Sequence, residues 1–502
     1  MTDIFQALKK IFSAKGEKDN AFQPLNSAQY TAYNRYRPGG AKPIFCYLPF
    51  NSLTFSMTGN VYVCNYNKNI LLGRYPENTI AEIWNGAPAQ KLREHMRHND
   101  LEYGCNHCKF YFDKGKFTNL RPLSFDKYHR HTTGDYPRVM EFELSNECNL
   151  ECQMCNGNVS SSIRKNQDKL PPLHNPYDDT FVQQLKPHFK NLREAKFYGG
   201  EPFLIPIYFK IWDEIATVNP ECNLFLITNG SHWNNKIESL LHTLNLDIAI
   251  SIDSLQKERV EKIRKNIVHE KLMENIGRFN KVLKQKGKTM SLSFTVQQEN
   301  WQELPEFIRF CNGLEVSVYV SYLDSPKQYA ISEMSKPELQ HIHGTLSKEI
   351  FPETNALLRH NAQCLRDFLT YVSKYIANEQ EPQYEDYFYL PENLSEAQKQ
   401  KLRGKTLVRI KALASREQVE NHFRHYYEKQ SANVPIPYDA LMQKIDAVHS
   451  NFAEDELGKL YGMILEANAA ESIKTISQLS VTELQELCAN QLPLVMVKSE
   501  TD

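Results

Sequence analysis

Seven of the eleven cysteines in this 502-residue chain lie between positions 46 and 155: Cys46, Cys64, Cys105, Cys108, Cys148, Cys152 and Cys155. The last three follow Leu144-Ser145-Asn146-Glu147 as Cys-x3-Cys-x2-Cys. Three thiolates on one compact loop suit a metal that prefers soft ligands. The count matters, because a four-iron cluster held by three thiolates keeps one iron without a protein ligand. Such an iron can bind substrate, as a catalytic zinc keeps an open position. The bland alternative is a structural zinc loop. Upstream, Cys46, Cys64, Cys105 and Cys108 form a set of four that could fully ligate one cluster or one zinc, and tetrahedral S4 sites suit both. Cys222, Cys311, Cys364 and Cys488 are scattered singly and read as buried structural thiols.

The three-cysteine loop needs a scaffold, and the sequence supplies one. From residue 139 strand-like runs recur at Val139–Leu144, Glu194–Tyr198, Leu224–Thr228, Leu246–Ile252, Met290–Val296 and Val316–Val320. Helix-like stretches such as Ile207–Ala216, Lys236–Leu244 and Leu304–Cys311 fall between them. Strands alternating with helices predict βαβ units and a parallel sheet. Polar residues on alternate strand positions, as in Ser291, Ser293 and Thr295, suit a barrel lining. The expected fold is therefore α/β, a partial (β/α)6 barrel with its function at the C-terminal ends of the strands.

On these residues the sequence resembles the radical S-adenosylmethionine (radical SAM) family, over about residues 137–322. Tyr198-Gly199-Gly200-Glu201-Pro202 after the second strand is similar to the family's Gly-Gly-Glu motif. Thr228-Asn229-Gly230 follows the third strand. Ser251-Ile252-Asp253-Ser254 resembles the segment that contacts the SAM ribose, and Val296-x3-Asn300 is also family-like. Met154 departs from the family, which usually has an aromatic side chain beside the adenine; methionine can still pack on a π-face. The resemblance implies a [4Fe-4S] cluster on Cys148, Cys152 and Cys155 that binds and reductively cleaves SAM. The resulting 5′-deoxyadenosyl radical takes a hydrogen from the substrate. It further implies that Gly199, Gly200 and Glu201 hold the SAM amino group, Ser251 and Asp253 the ribose, and Met154 and Asn229 further parts of the cofactor.

The upstream set lies among Gly59-x4-Cys64, Leu72-Gly73, Ile83-Trp84-Asn85-Gly86, Leu92-Arg93 and Cys105-x2-Cys108. It resembles the SPASM and twitch modules that accompany many radical SAM barrels. Those usually follow the barrel, whereas this one precedes it, and four cysteines favour one auxiliary [4Fe-4S] cluster. Such modules imply a peptide or protein substrate first and a small metabolite next, with an electron donor such as flavodoxin or ferredoxin. A non-catalytic electron-transfer protein and a nucleic-acid modifying enzyme are the readings from other classes.

Composition sets the remaining bounds. Hydrophobic residues are 41 % and charged residues 24 %, which is globular in character. A formal charge of −1 removes the argument from bulk phosphate neutralisation, so a nucleic-acid partner is disfavoured. Mean hydropathy is −0.55, and no apolar run approaches the ~18 residues of a membrane span. Ile4, Phe5, Leu8, Ile11 and Phe12 fall at helical spacing around Lys9 and Lys10, an amphipathic segment (residues 1–20) rather than a secretory signal. A cytoplasmic, reducing setting is expected. The cysteine-rich module is placed at 21–120. Lys127, His129, Arg130, His131 and Arg138 read as a solvated basic connection, with phosphate contact as the alternative. Residues 336–490 read as a helical region, broken at Glu379–Asn393.

Overall fold

The computed structural model describes residues 22–377, apart from residue 324, and beyond them 408–410, 414–429, 434–449, 452, 454–466, 469–491 and 495–497. The amphipathic segment 1–20 and the break at 379–393 lie outside the described residues. The chain divides into two compact units. One takes in residues up to Thr54 together with Val61–Arg138, the other Phe55–Asn60 together with the chain from Val139 onward.

The first unit contains helix α1 (Ser27–Tyr36), the hairpin strands β1 (Ser52–Phe55) and β2 (Asn60–Tyr62), whose tip belongs to the other unit, and helices α2 (Ile80–Asn85), α3 (Ala87–Arg97) and α4 (Asn106–Asp113). Its helix starts are written locally. Thr79 accepts from the Glu82 backbone while Glu82 accepts from the Thr79 backbone, a capping box that opens α2. The Ile-Trp-Asn-Gly and Leu-Arg segments are core-forming, since Ile80, Ile83, Trp84, Leu92 and Arg93 are all buried. The Arg93 guanidinium lies 4.2 Å from the centre of the Trp84 ring, and Trp84 Nε1 donates to the Gly134 carbonyl at 2.8 Å. The basic connection is not uniformly solvated. Arg138 is buried, with Nη1 donating to Asn51 Oδ1 at 3.3 Å, because the chain there packs beside the hairpin rather than crossing open solvent.

The second unit is built on six parallel strands: β3 (Val139–Glu143), β4 (Glu194–Tyr198), β5 (Asn223–Thr228), β6 (Leu246–Ser251), β7 (Met290–Val296) and β8 (Ser317–Tyr322). They neighbour one another in chain order. Their crossovers contain helices α5 (Asp179–Phe189), α6 (Pro206–Val218), α7 (Asn235–Thr243), α8 (His269–Gln285) and α9 (Leu304–Leu314). This is the open (β/α)6 arrangement. Period-two alternation sorts the side chains. Phe197 meets Trp212 of α6 and Phe294 meets Phe307 of α9, at ring separations of 5.4 and 4.8 Å. The alternate residues Glu141, Lys196, Tyr198, Ser251, Ser293 and Thr295 therefore point to the concave face. There Tyr198 donates to Glu141 Oε2 at 2.6 Å, and Lys196 Nζ lies 3.3 Å from Glu141 Oε1.

Past the barrel come α10 (Lys336–Leu346) and α11 (Ala356–Ile376). Buried Asn361 of α11 accepts from the Val318 N–H and donates to the Val316 carbonyl, which covers part of the free edge of β8. A separate core then forms among helices α12 (Arg416–Lys429), α13 (Tyr438–His449), α14 (Glu454–Glu466), α15 (Ala469–Gln478) and α16 (Val481–Gln491), around Phe423, Leu441, Ile445 and Ile473. Two short parallel strands, Val408–Ile410 and Val495–Val497, add a feature that a purely helical reading of this region lacks.

Candidate functional site

The loop after β3 is shaped by the chain itself. Cys152 sits opposite Arg264 in a two-residue antiparallel pairing of Glu151–Cys152 with Arg264–Lys265. The Glu151 carboxylate accepts from Lys265 Nζ at 2.7 Å, Asn166 at 2.7 Å and Gln167 at 2.9 Å, and the Lys265 bond leads in pulling it down to about 2. The Gln153 N–H donates to the Ile263 carbonyl at 2.9 Å, and Ser162 donates to the Cys148 carbonyl at 2.8 Å. Burial pushes the Cys148 thiol up to about 11. A shared hydrogen bond holds the Cys152 thiol down and the Cys155 thiol up. Buried thiols of this kind become thiolates when a cation is bound, and Arg264 supplies only part of the charge they need. The donor set fits an iron–sulfur cluster.

The other motifs converge on this loop. Gly199 has φ +118°, and a Cβ there would lie 2.5 Å from the Ser145 carbonyl oxygen; one on Gly200 would lie 2.2 Å from that of Glu147. The glycines are thus required by the approach of Gly-Gly-Glu to the cysteine loop, with Gly200 N–H donating to Ser145 O and Glu201 N–H to Glu147 O. The Glu201 carboxylate is wholly buried. It accepts from Thr228 Oγ1 and the Asn229 N–H at 2.7 Å each and from the Phe203 N–H at 3.2 Å, and burial pushes it up to about 7. Asn229 in turn donates to Asn149 Oδ1 at 3.1 Å. Asp253 is equally buried, accepts from the Thr295 N–H at 2.7 Å and lies 2.8 Å from Arg264 Nη2. Asn300 donates to the carbonyls of Asp253 and Thr295, joining the ends of β6 and β7. Ser251 and Met154 are half-buried.

Two residues here were not among the sequence candidates. Arg264 is buried beside Asp253, and its charge acts on Cys152 and Cys155. Gln297 is wholly buried just past β7, and among the described residues neither its amide oxygen nor its nitrogen has a hydrogen-bond partner. Gln153 Oε1 and Arg264 Nε share that condition, while Asp253 Oδ2 is engaged by Arg264 Nη2.

In the first unit, Cys46, Cys64, Cys105 and Cys108 line one cavity. Burial pushes Cys46 up to about 12 and raises Cys105 and Cys108 well above the ordinary thiol range. Asn67 Nδ2 lies 3.5 Å from Cys105 Sγ. The four thiols surround one space, a donor set that suits an iron–sulfur cluster or a zinc ion.

Comparison with known proteins gives this arrangement its class. The radical SAM superfamily model matches residues 142–311, and the SPASM model, an iron–sulfur cluster-binding domain, matches residues 46–109. The chain thus carries a radical SAM domain preceded by an iron–sulfur cluster-binding domain, and its cofactors are SAM and iron–sulfur clusters. Among curated proteins it is 25 % identical over 194 residues to the GTP 3′,8-cyclase of Helicobacter pylori (strain ATCC 700392 / 26695), covering 38 % of this chain and 56 % of that protein. It is 25 % identical to the GTP 3′,8-cyclase of Aquifex aeolicus, covering 37 % and 57 %. The chain therefore spans little more than half the length of these relatives. Streptococcus suis SuiB bound to S-adenosylmethionine superposes with a TM-score of 0.33 at 14 % identity, covering 52 % of this chain and 62 % of that one. No helix among the described residues is long and apolar enough to cross a membrane.

Proposed function

We propose that this chain is a radical SAM enzyme that removes a hydrogen atom from a peptide or protein substrate. In this reading Cys148, Cys152 and Cys155 hold the SAM-binding [4Fe-4S] cluster, and Cys46, Cys64, Cys105 and Cys108 hold an auxiliary one. The observation that carries it is the set of buried polar atoms without a hydrogen-bond partner among the described residues, on Gln153, Arg264 Nε and Gln297, beside the Asp253–Arg264 ion pair. Each such group costs about 1–3 kcal/mol when left unpaired, so a polar ligand with several hydrogen-bonding groups completes the site. SAM offers ammonium, carboxylate, ribose hydroxyls and adenine. When bound, the cluster would supply the electron that breaks the SAM carbon–sulfur bond, giving the radical that abstracts hydrogen.

The chain's own residues bind and orient. Arg264 offers an N–H to the SAM carboxylate, Asp253 Oδ2 and Ser251 accept from the ribose, and Met154 packs on the adenine. Gly199 and Gly200 present backbone to the amino group. Glu201 and Asn229 fix the loops around that contact, Glu201 with three accepted hydrogen bonds of the about four a carboxylate can take. Lys196 is the one basic residue in the six barrel strands and is paired with Glu141. Glu143 shares that face by the same alternation, so the strands offer no spare cation, which favours a polar substrate such as a peptide over a triphosphate. The curated relatives' names support the second reading, a nucleotide or other small metabolite. A cytoplasmic setting and a flavodoxin or ferredoxin donor accompany either.

The test is anaerobic incubation of iron-loaded protein with SAM, reductant and candidate peptides or nucleotides. 5′-Deoxyadenosine and a mass change on the peptide are the expected result. Iron-loaded protein that releases no 5′-deoxyadenosine rejects the enzyme reading, and a mass change on the nucleotide alone selects the second substrate class.

A further inference from the structure

The four-cysteine cavity of the first unit has a wall of unusual composition. Leu48, Val63, Met96 and Pro122 make it apolar, and among its lining residues Arg121 carries the only charge. The guanidinium lies 5.5 Å from the centre of the Tyr66 ring and 5.4 Å from that of Phe125, both within cation–π range. Tyr66 stacks in turn on His107, with centroids 4.4 Å apart and planes within 8°. Tyr66 sits between Cys64 and Asn67, and His107 between Cys105 and Cys108. The cation is therefore held by the same two segments that carry three of the four thiols. Asn67 aims its side-chain N–H at Cys105 Sγ, 3.5 Å away.

We propose that Arg121, seconded by Asn67, is a positioning residue that raises the reduction potential of the auxiliary cluster. The inference rests on the reading of this site as a cluster site. A four-iron cluster on four thiolates is anionic, and reduction adds one more negative charge. In an apolar wall that added charge is poorly screened, which favours the oxidised form. A fixed cation and an N–H···S bond act in the opposite direction.

The experiment is a redox titration of the full-length, iron-loaded protein followed by electron paramagnetic resonance, with and without SAM. SAM perturbs only the signal of the cluster with an open iron, so the two clusters are read separately. In Arg121→Met the auxiliary cluster's reduced-to-oxidised ratio at fixed potential should fall about tenfold, equivalent to about 59 mV for one electron. The SAM-binding cluster should not move. Arg121→Lys, which keeps the charge, should stay within about threefold of the parent, and Asn67→Ala should shift the same way as Arg121→Met by a smaller factor. An unchanged ratio in Arg121→Met overturns the proposal. If Arg121→Met fails to load its cluster, Asn67→Ala is read in its place and an unchanged ratio there overturns the proposal; if both Arg121 variants fail to load, Arg121 serves packing and the proposal falls. Stoichiometric zinc in the parent site, with no second signal, defeats the cluster reading itself and is distinguishable from all of these.

Discussion

The two cysteine sites are built on opposite plans. In the barrel unit three thiols share one loop, and around them lie buried charges and amides, including Asp253, Arg264 and Gln297, with hydrogen-bonding capacity left over. In the first unit four thiols arrive from three segments and face a mostly apolar wall with one cation. A polar surround with unused donors and acceptors suits a cofactor that must grip a further polar molecule. An apolar enclosure suits a group complete in its own ligands. The difference teaches that thiol count and the chemistry of the surround point to the same division of labour.

The largest expected effect tests that division directly. Changing Cys148, Cys152 and Cys155 to Ala should abolish 5′-deoxyadenosine formation while leaving about four irons per chain in the other site. Iron analysis and chromatography of the SAM products check it together. Changing Cys105 and Cys108 to Ala should do the reverse, keeping SAM cleavage but losing substrate product. Absence of deoxyadenosine from that variant, in protein shown to be folded by circular dichroism, would merge the two sites.

Three smaller effects sharpen the contrast. Asp253→Ala strands the buried Arg264 charge and should cost about 3–5 kcal/mol in urea unfolding of the apoprotein. The pair Asp253→Leu with Arg264→Met should lose clearly less, which a purely additive result would contradict. Glu201 gives a pH signature. Its carboxyl is pushed up to about 7 by burial, against about 4.3 in an unfolded chain. The native state therefore holds this proton more tightly, and stability should decline as pH rises from about 4.5 through 7, by on the order of 3 kcal/mol, then level off. Glu201→Gln should flatten that slope in unfolding curves taken across the range. Last, Gln297→Leu should weaken SAM binding about tenfold, roughly 1.4 kcal/mol, by isothermal titration. The same change should stabilise the apoprotein, because an unpaired buried amide is removed. A variant that loses stability and keeps SAM affinity would return Gln297 to the core.

Much of the barrel was legible because its alternation is strong. Glu194–Tyr198 and Met290–Val296 are strands over the same residues that the pattern delimits, while β8 runs to Tyr322, beyond the expected Val320, since polar Ser321 and Tyr322 carry no periodic signal. The motif positions were also legible, but the physical reason for one was not. The resemblance sets the glycine pair at the SAM amino group, while the structure shows what makes glycine necessary there, the close Ser145–Glu147 backbone, a contact fixed only by the fold. Arg264, Gln297 and Arg121 left no pattern to find. Each matters through burial and through missing or present partners, which are tertiary facts. The strand pair Val408–Ile410 and Val495–Val497 was missed because two runs of three residues, Val-Arg-Ile and Val-Met-Val, carry too little period to compete with the helices around them.

The clamp on Glu151 bears on how such a protein is made. Many small metal modules stay unfolded until their ion arrives. Here the loop bearing Cys148, Cys152 and Cys155 is fixed by Lys265, Asn166, Gln167 and the strand pairing at Cys152, all supplied by the chain. Cells starved of iron should therefore accumulate this unit as a colourless, protease-resistant reserve, ready to be matured when iron and sulfide return without passing through the ribosome again.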